Sequence, residues 1–399
     1  MPYNRWAVLK ICDLTQFYSP LSGGVKRYVH EKIGFIQKWL PEDEHVLIIP
    51  GAKTEVTSGK RSRIYSIRSP LISRSSRYRV LLNLGAVGEI LERERPDIVE
   101  SSDPYQVGWK AISASRALRI PVVAFYHSHF PEAYLRGAEK LLGKRGGDFL
   151  MMASKEYVRR LYNQFEATLV PSAPLAGVLE EWGVRNVRQL GLGVNPENFQ
   201  PRPDDAAATR RSLGIAPGRT LLLYIGRLAG EKNTATLFKS FEFLVRRRPD
   251  RFHLLVIGDG PQREQLRRLQ AQTESVTWIQ YCTDSLELAR FYRAADLFVH
   301  PGTQETFGLV ALESQACGTP VVGIRGSNLD RIILHEQESW AAENTPTALA
   351  AAIEEFSVKD LPVLGAVAAR LAAERHAWPR VFERLFCIYR EVCANYKEH

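Results

Sequence analysis

Short apolar runs alternate along this chain with longer stretches in which apolar residues recur every three to four positions. In the first half, Ala7–Ile11, Val46–Ile49, Ile98–Val99, Val122–Tyr126 and Ala167–Val170 read as strands. Val25–Trp39, Val80–Arg93 and Lys155–Phe165 read as helices between them. Such alternation predicts a parallel sheet covered on both faces. Asn195–Pro203 then holds three prolines and runs into Asp204-Asp205, which predicts a linker near 196–206. Beyond it the alternation restarts. Thr220–Ile225, His253–Ile257, Val276–Ile279, Leu297–His300 and Pro320–Gly323 read as strands; Thr234–Arg247, Gln262–Gln272, Leu286–Ala295 and Leu309–Ala316 read as helices. Trp378–Tyr396 carries Val381, Leu385, Ile388, Tyr389 and Val392 at helical spacing and reads as a closing helix. The expected fold is α/β, with doubly wound domains at 1–203 and 204–375 and a terminal helix at 376–399. In open sheets of this kind ligands sit beyond the carboxyl ends of the strands. The expected site is therefore the cleft across which the two domains face.

Composition narrows this only a little. The chain has 399 residues, 45% hydrophobic and 24% charged, enough for two or three cores and against disorder. The net charge of +9 favours anionic partners such as phosphates, nucleic acid or acidic lipid. The five cysteines, Cys12, Cys282, Cys317, Cys387 and Cys393, are odd in number and form no Cys-x-x-Cys pair. That argues against a disulfide framework or a zinc site and predicts a reducing, cytoplasmic setting. Arg5 and Lys10 lie in or beside the short first apolar run, which reads as a strand and not a signal peptide. No run approaches the ~20 apolar residues a spanning helix needs. Attachment to a membrane would then be peripheral, at its inner face.

Candidate chemistry gathers at the predicted strand ends. Glu305 and Glu313 bracket Thr-Phe-Gly-Leu-Val-Ala-Leu at a strand–loop–helix junction. Thr306 is placed to cap the helix, leaving the N–H groups of Phe307, Gly308 and Leu309 at its positive end, which suits an anion. Carboxylates do not bind phosphate, so the two Glu residues suit sugar and ribose hydroxyls; alone, they also read as an acidic loop and a solvated helix Glu. Gly226-Arg227-Leu-Ala-Gly-Glu-Lys232 follows a strand directly, and Arg227 and Lys232 suit a diphosphate. Arg227 is expected to close a buried strand, where an unpaired charge is costly. Gly23 and Gly24 stand between the first strand and first helix, as a phosphate cradle or a flexible turn. His127 ends the Val122–Tyr126 strand, on the edge where substrates sit. His129, two residues on, falls on the opposite face of an extended chain, which disfavours a metal pair. No Asp-x-Asp occurs to hold a metal bridging donor phosphates.

In combination these motifs resemble the family 4 glycosyltransferases, with their two-Rossmann-domain GT-B architecture, over nearly the whole chain. The likeness rests on Ser22-Gly23-Gly24, His127, Gly226-Arg227 with Glu231-Lys232, Gly258-Asp259-Gly260, and Glu305 to Glu313 followed by Ala316-Cys-Gly-Thr-Pro-Val-Val322. Tyr126–Pro131, Leu169–Ser172 and Leu192–Asn195 look closest to the branch of bacterial mannosyltransferases and sulfoquinovosyl-type glycolipid synthases. The resemblance implies that Arg227 and Lys232 hold the diphosphate and stabilise the leaving group. It implies that Glu313 binds ribose and that Glu305 contacts the donor sugar, helped by the backbone at Phe307–Leu309. Gly24 would offer its amide to the distal phosphate, and Gly23, Gly226 and Gly258 would belong to the donor-binding turns. His127 would meet the sugar or the reacting centre. The implied reaction is transfer of a hexose, from a GDP- or UDP-sugar, to a lipid-linked or glycan acceptor. It would proceed with retention and without metal or other cofactor, the nucleotide sugar being a substrate. The chain departs from the family at His335–Ala342, which lacks the glycine of a Gly-x-Leu-Val turn, so the carry-over stops near residue 326.

Lys60–Arg79 adds seven cations, Lys60, Arg61, Arg63, Arg68, Arg74, Arg77 and Arg79, with no acidic residue from there to Gly88. Either this is a solubilising loop or it meets an anionic membrane or lipid acceptor. A nucleotide-sugar epimerase or polysaccharide synthase would share the fold, and an inactive partner domain would have no need of the intact cations and carboxylates. A nucleic-acid-binding protein would carry a basic aromatic motif, zinc spacing or a helix-turn-helix, none of which is present, so nucleic acid is not an expected partner.

Overall fold

The computed structural model describes residues 8–19, 24–72, 77–127, 130–303, 305, 307–327, 329 and 331–397, without side chains at 130–142, 144 and 203–205. The chain forms two compact units, Met1–Leu192 with Pro379–His399, and Gly193–Trp378.

The first unit is built on an eight-stranded sheet. Its elements run β1 (Lys10–Leu14), α1 (Gly24–Trp39), β2 (Glu44–Gly51), β3 (Glu55–Ser58), β4 (Ser62–Arg68), α2 (Leu84–Glu94), β5 (Ile98–Ser101), α3 (Gln106–Leu118), β6 (Val122–Phe125), α4 (Phe130–Tyr162), β7 (Ala167–Val170), α5 (Ala173–Glu181) and β8 (Val187–Gln189). The strand order is β3-β4-β2-β1-β5-β6-β7-β8. All pairings are parallel except β3 with β4, where an exposed hairpin strand closes the edge. The central strands are buried throughout because helices cover both faces; Leu14, Val46, Val99, Val122 and Leu161 lie in one continuous core. Asn83 starts α2 by accepting the Ala86 N–H at 3.2 Å. α4 breaks its helical geometry at Gly143.

The second unit holds α6 (Pro203–Ser212), β9 (Thr220–Ile225), α7 (Thr234–Arg247), β10 (Phe252–Ile257), α8 (Arg263–Gln272), β11 (Val276–Ile279), α9 (Ser285–Ala294), β12 (Leu297–His300), α10 (Leu309–Ala316), β13 (Val321–Gly323), α11 (Pro346–Phe356) and α12 (Leu361–His376). The order β11-β10-β9-β12-β13, all parallel, is a doubly wound sheet. Its chain reverses direction between β9 and β12, the usual place for a ligand crevice. α13 (Trp378–Lys397) follows, and from Pro379 it belongs to the first unit.

Three expectations differ from what the structure shows. The proline-rich stretch is packed, not free, so the division falls after Leu192 and not after residue 203. Phe199 lies on the Tyr292 ring, Arg293 donates to the carbonyls of Asn198 and Gln200, and Pro201 faces Gly318. Likewise, the other boundary falls after Trp378 and not after residue 375, because the backbone at the α12–α13 junction, bridged at Ala377, hydrogen-bonds with Val194. The basic stretch is also not one loop, since Ser62–Arg68 is a strand paired with β2. Arg61 there donates to the carbonyls of Leu40 (2.5 Å) and Gln37 (2.6 Å) at the end of α1, and Arg63 pairs with Glu44 and Glu94. Arg79 donates to the Ser69 carbonyl at 2.6 Å, Arg68 and Arg77 stay exposed, and Arg74 lies outside the described residues. Among the described residues no helix is long and apolar enough to cross a membrane.

Candidate functional site

In the second unit the candidate site residues stand on the loops after β9, β10 and β12, all at the carboxyl edge of the sheet. After β9 the chain turns through Gly226 and Arg227 into a short 3-10 segment, Gly230–Lys232, and then α7. Asn233, with φ 52°, donates from its side chain to the Pro301 carbonyl at 3.0 Å. That bond ties the β9 loop to the β12 loop and brings Lys232 against Glu305.

Glu305 is the centre of the arrangement. Lys232 Nζ donates to its Oε1, and His300 Nε2 lies 3.3 Å from the same oxygen. Oε2 accepts no hydrogen bond from the described residues. Burial works against ionisation of Glu305, but the Lys232 charge and the His300 hydrogen bond outweigh it and hold the carboxyl at about 2. The group is therefore a fixed anion near neutral pH. His300 is nearly buried and its Nδ1 lies 3.2 Å from the Gly302 carbonyl.

Arg227 differs from expectation. Its side chain is 57% exposed, with an exposed pairing to Glu231 at 3.4 Å, so it is not an arginine forced into partnership by burial. Its backbone is held instead: the buried Tyr224 hydroxyl donates to the Arg227 carbonyl at 3.0 Å. The guanidinium stands exposed at the sheet edge.

The glycines have structural reasons that sequence did not reveal. Gly258, at φ 144°, faces the Gly226 carbonyl so closely that a Cβ would overlap it. Gly258 thus lets two loops touch, backbone on backbone, while a Cβ on Gly226 would run into the Tyr224 hydroxyl. Gly308, at φ 87°, is itself the residue that starts α10, in place of the expected cap by Thr306, which lies outside the described residues. A Cβ on Gly308 would run into Leu329. Leu309 opens the helix, whose first N–H groups have no acceptor within it. Phe307 is buried, edge-on to His376 at 6.1 Å. Glu313 is no solvated helix Glu: it is 1% exposed, and the Tyr292 hydroxyl donates to its Oε2 at 3.1 Å.

In the first unit, His127 lies just beyond β6, stacked on Phe125 at 4.0 Å and edge-on to Tyr28 at 5.1 Å. Burial, with Lys32 adding to it, pushes its imidazole down to about 3, so the ring is neutral. Gly24 is the first residue of α1 and is exposed; Gly23 lies outside the described residues.

Beneath His127 lies a buried charged cluster that sequence patterning did not point to. Lys32 Nζ is 2.8 Å from Asp13 and 3.2 Å from Glu100, and donates to the Tyr389 hydroxyl at 2.9 Å. His45 Nε2 is 2.5 Å from Asp13. The Tyr28 and Tyr389 hydroxyls both donate to Glu100 Oε2. Burial pushes the Glu100 carboxyl up to about 7 in spite of Lys32, with Asp13 adding to the rise. Asp13 is also buried, but Lys32 and His45 outweigh that and hold it well below the usual carboxylate range.

Two open parallel α/β sheets, one with cations and a fixed carboxylate at its carboxyl edge, define a glycosyltransferase of the GT-B fold. Sequence comparison agrees: the Glycosyltransferase Family 4 model matches residues 22–198, and the Glycosyl transferases group 1 model matches residues 205–361. A GDP-mannose-dependent alpha-(1-6)-phosphatidylinositol dimannoside mannosyltransferase of Mycobacterium tuberculosis is 30% identical over 86% of this chain and 87% of its own. A GDP-mannose-dependent alpha-mannosyltransferase of Corynebacterium glutamicum is 30% identical over 68% of this chain, and the match spans 60% of that protein. Among solved structures, a sucrose-phosphate synthase of Thermosynechococcus elongatus shares the fold at TM-score 0.74 and 19% identity, covering 97% of this chain and all of its own. The chain belongs to the family 4 glycosyltransferases.

Proposed function

We propose that the chain transfers a hexose from a nucleotide diphosphate sugar, GDP-mannose before UDP-hexose, to a lipid-linked or glycan acceptor with retention of configuration. The observation that carries this reading is Glu305, buried and fixed as an anion by Lys232 and His300, with the exposed Arg227 on the loop of the adjacent strand β9. Such a site offers one acceptor oxygen for sugar hydroxyls and two cations for a departing diphosphate. The chemistry is then positioning plus electrostatic stabilisation of the leaving group. Arg227 and Lys232 take the diphosphate, with N–H groups at Phe307, Gly308 and Leu309 aiding; Glu313 takes ribose; Gly24 and the neutral His127 serve the sugar side. Two cations at the leaving group supply the charge a metal would otherwise bring, so activity should persist in chelator. The GDP-mannose preference leans on the two relatives named above.

The test is nucleotide release from a panel of UDP- and GDP-sugars in chelator, with wild type beside Glu305→Ala and Lys232→Ala. Turnover of one donor, lost in both variants, supports the reading and names the donor. Binding without turnover points to a missing acceptor. Failure to bind any donor would abandon the reading in favour of an inactive partner domain. Product analysis separates transfer from epimerisation or polymer synthesis.

A peripheral membrane role has its own support. Leu71, Ile72 and Leu82 are exposed, as are Arg68 and Arg77, and the Ile72 N–H donates to the Tyr78 carbonyl at 2.8 Å. Apolar and cationic side chains together suit an anionic lipid surface. Co-sedimentation with phosphatidylglycerol vesicles should fall on Arg68→Glu with Arg77→Glu; unchanged sedimentation rules the surface out.

A further inference from the structure

Glu305 Oε1 is shared by two nitrogens of different character. Lys232 reaches it from a turn, on a flexible stem with a side chain 30% exposed; His300 reaches it from the end of β12, 4% exposed and held at its other nitrogen. Both ring nitrogens of His300 face acceptors, Nδ1 the Gly302 carbonyl and Nε2 the Glu305 carboxylate, so the imidazole is fixed between them. Among the described residues the Tyr224 hydroxyl on β9 is also close enough to feel the Glu305 charge.

We propose that His300 is the positioning residue that keeps Glu305 in place when an incoming diphosphate draws Lys232 away. This rests on the donor-site reading above. A carboxylate 14% exposed, facing an arriving dianion, would otherwise lose its nearest positive charge when that charge is most needed. It would take up a proton or swing aside, and Oε2 would no longer be set for a sugar hydroxyl. His300 cannot follow Lys232, because it is buried and anchored to Gly302. The site therefore divides the work: a mobile outer cation for phosphate, and a fixed inner imidazole for the carboxylate.

The experiment uses the full chain with whichever nucleotide sugar it turns over. His300→Asn keeps a donor for the Gly302 carbonyl and removes the one to Glu305; His300→Gln keeps a neutral donor toward Glu305. His300→Asn should lower kcat by about tenfold to a hundredfold, the worth of a hydrogen bond to a charged group, while the donor KM moves by less than about threefold. His300→Gln should recover part of that loss. Nitrogen NMR of the wild type should show a His300 Nε2 signal that responds to Glu305→Gln and stays in place after addition of the nucleotide diphosphate. A kcat within about twofold of wild type in His300→Asn, or an Nε2 signal indifferent to Glu305→Gln, overturns the proposal. Should the His300 variants fail to fold, the Nε2 signal decides alone. A wild type that neither binds nor turns over any nucleotide sugar defeats the donor-site reading itself, whereas turnover indifferent to His300 defeats only this one.

Discussion

Glu100 should make the first unit less stable as pH rises, and removing its charge should cancel that loss. Its carboxyl rises from an ordinary 4.5 to about 7 in the fold, where it is fully buried. Between those values the native state holds a proton that the unfolded chain has given up. Stability from this group is therefore complete below 4.5 and is lost as pH rises through about 7. At about 1.4 kcal/mol per tenfold change, a rise of ~2.5 pH units amounts to as much as ~3 kcal/mol. Asp103, pushed up to about 7 by burial, acts in the same direction. His127 and His253, lowered by burial to about 3 and about 4, act oppositely and add stability as pH rises toward 6.5. The wild-type profile mixes all four, so the useful quantity is the difference between Glu100→Gln and wild type. The Gln carbonyl still accepts from Tyr28 and Tyr389, and Lys32 keeps Asp13. Urea unfolding of the whole chain at several pH values, fitted as two transitions where two appear, should show that difference growing by up to ~3 kcal/mol from pH 4.5 to 7 and then levelling. A difference that stays constant within about 0.5 kcal/mol, or that shrinks as pH rises, would refute the assignment of the proton to Glu100.

Glu305 behaves in the opposite sense. Its carboxyl is held at about 2, so its contribution to stability is present above 4.5 and lost as pH falls toward 2, and kcat/KM should show no acid limb from it above about pH 4. Arg227→Ala removes an exposed side chain; it should leave the melting temperature within about 1 °C while lowering kcat/KM for the donor by about tenfold or more, measured side by side. Gly258→Ala places a Cβ on the Gly226 carbonyl at a φ that disfavours side chains, and should cost about 2 kcal/mol or more in urea unfolding, with donor turnover lost beyond the effect on folding. Arg61→Ala takes a cation from the three carbonyls at the end of α1 and should destabilise by about 1–2 kcal/mol without changing vesicle binding, the reverse of what an exposed basic loop would give.

The parts of the molecule that sequence made legible are those where period and punctuation agree. Ala167–Val170 and Thr220–Ile225 are strands end to end, as their apolar runs predict, and the restart after residue 215 marks a second sheet. The pairing of Lys232 with Glu305 was not legible, because it depends on Asn233 reaching Pro301 across 68 residues. Gly226 and Gly258 resembled donor-binding turns, yet Gly258 is required by the Gly226 carbonyl pressed against it, and Gly226 by the Tyr224 hydroxyl. The charged cluster of the first unit was hidden for a related reason. Each member sits in a different element, and a charge inside a strand reads as the end of an apolar run. The first strand was accordingly expected to stop at Ile11, whereas β1 continues to Leu14 with Asp13 buried inside it. One signal did exist. On α1 the buried positions are Tyr28, Val29, Lys32, Ile33, Phe35 and Ile36, so a lysine occupies the middle of an apolar stripe. A lysine there has to find carboxylates in the sheet below it, since a buried ammonium is tolerated only when paired. Asp13 and Glu100 are register partners on adjacent strands of that sheet. They are the two acidic residues in the otherwise apolar runs of β1 and β5, and a stripe-breaking lysine with two run-breaking carboxylates is enough to predict the triad from the amino-acid pattern alone.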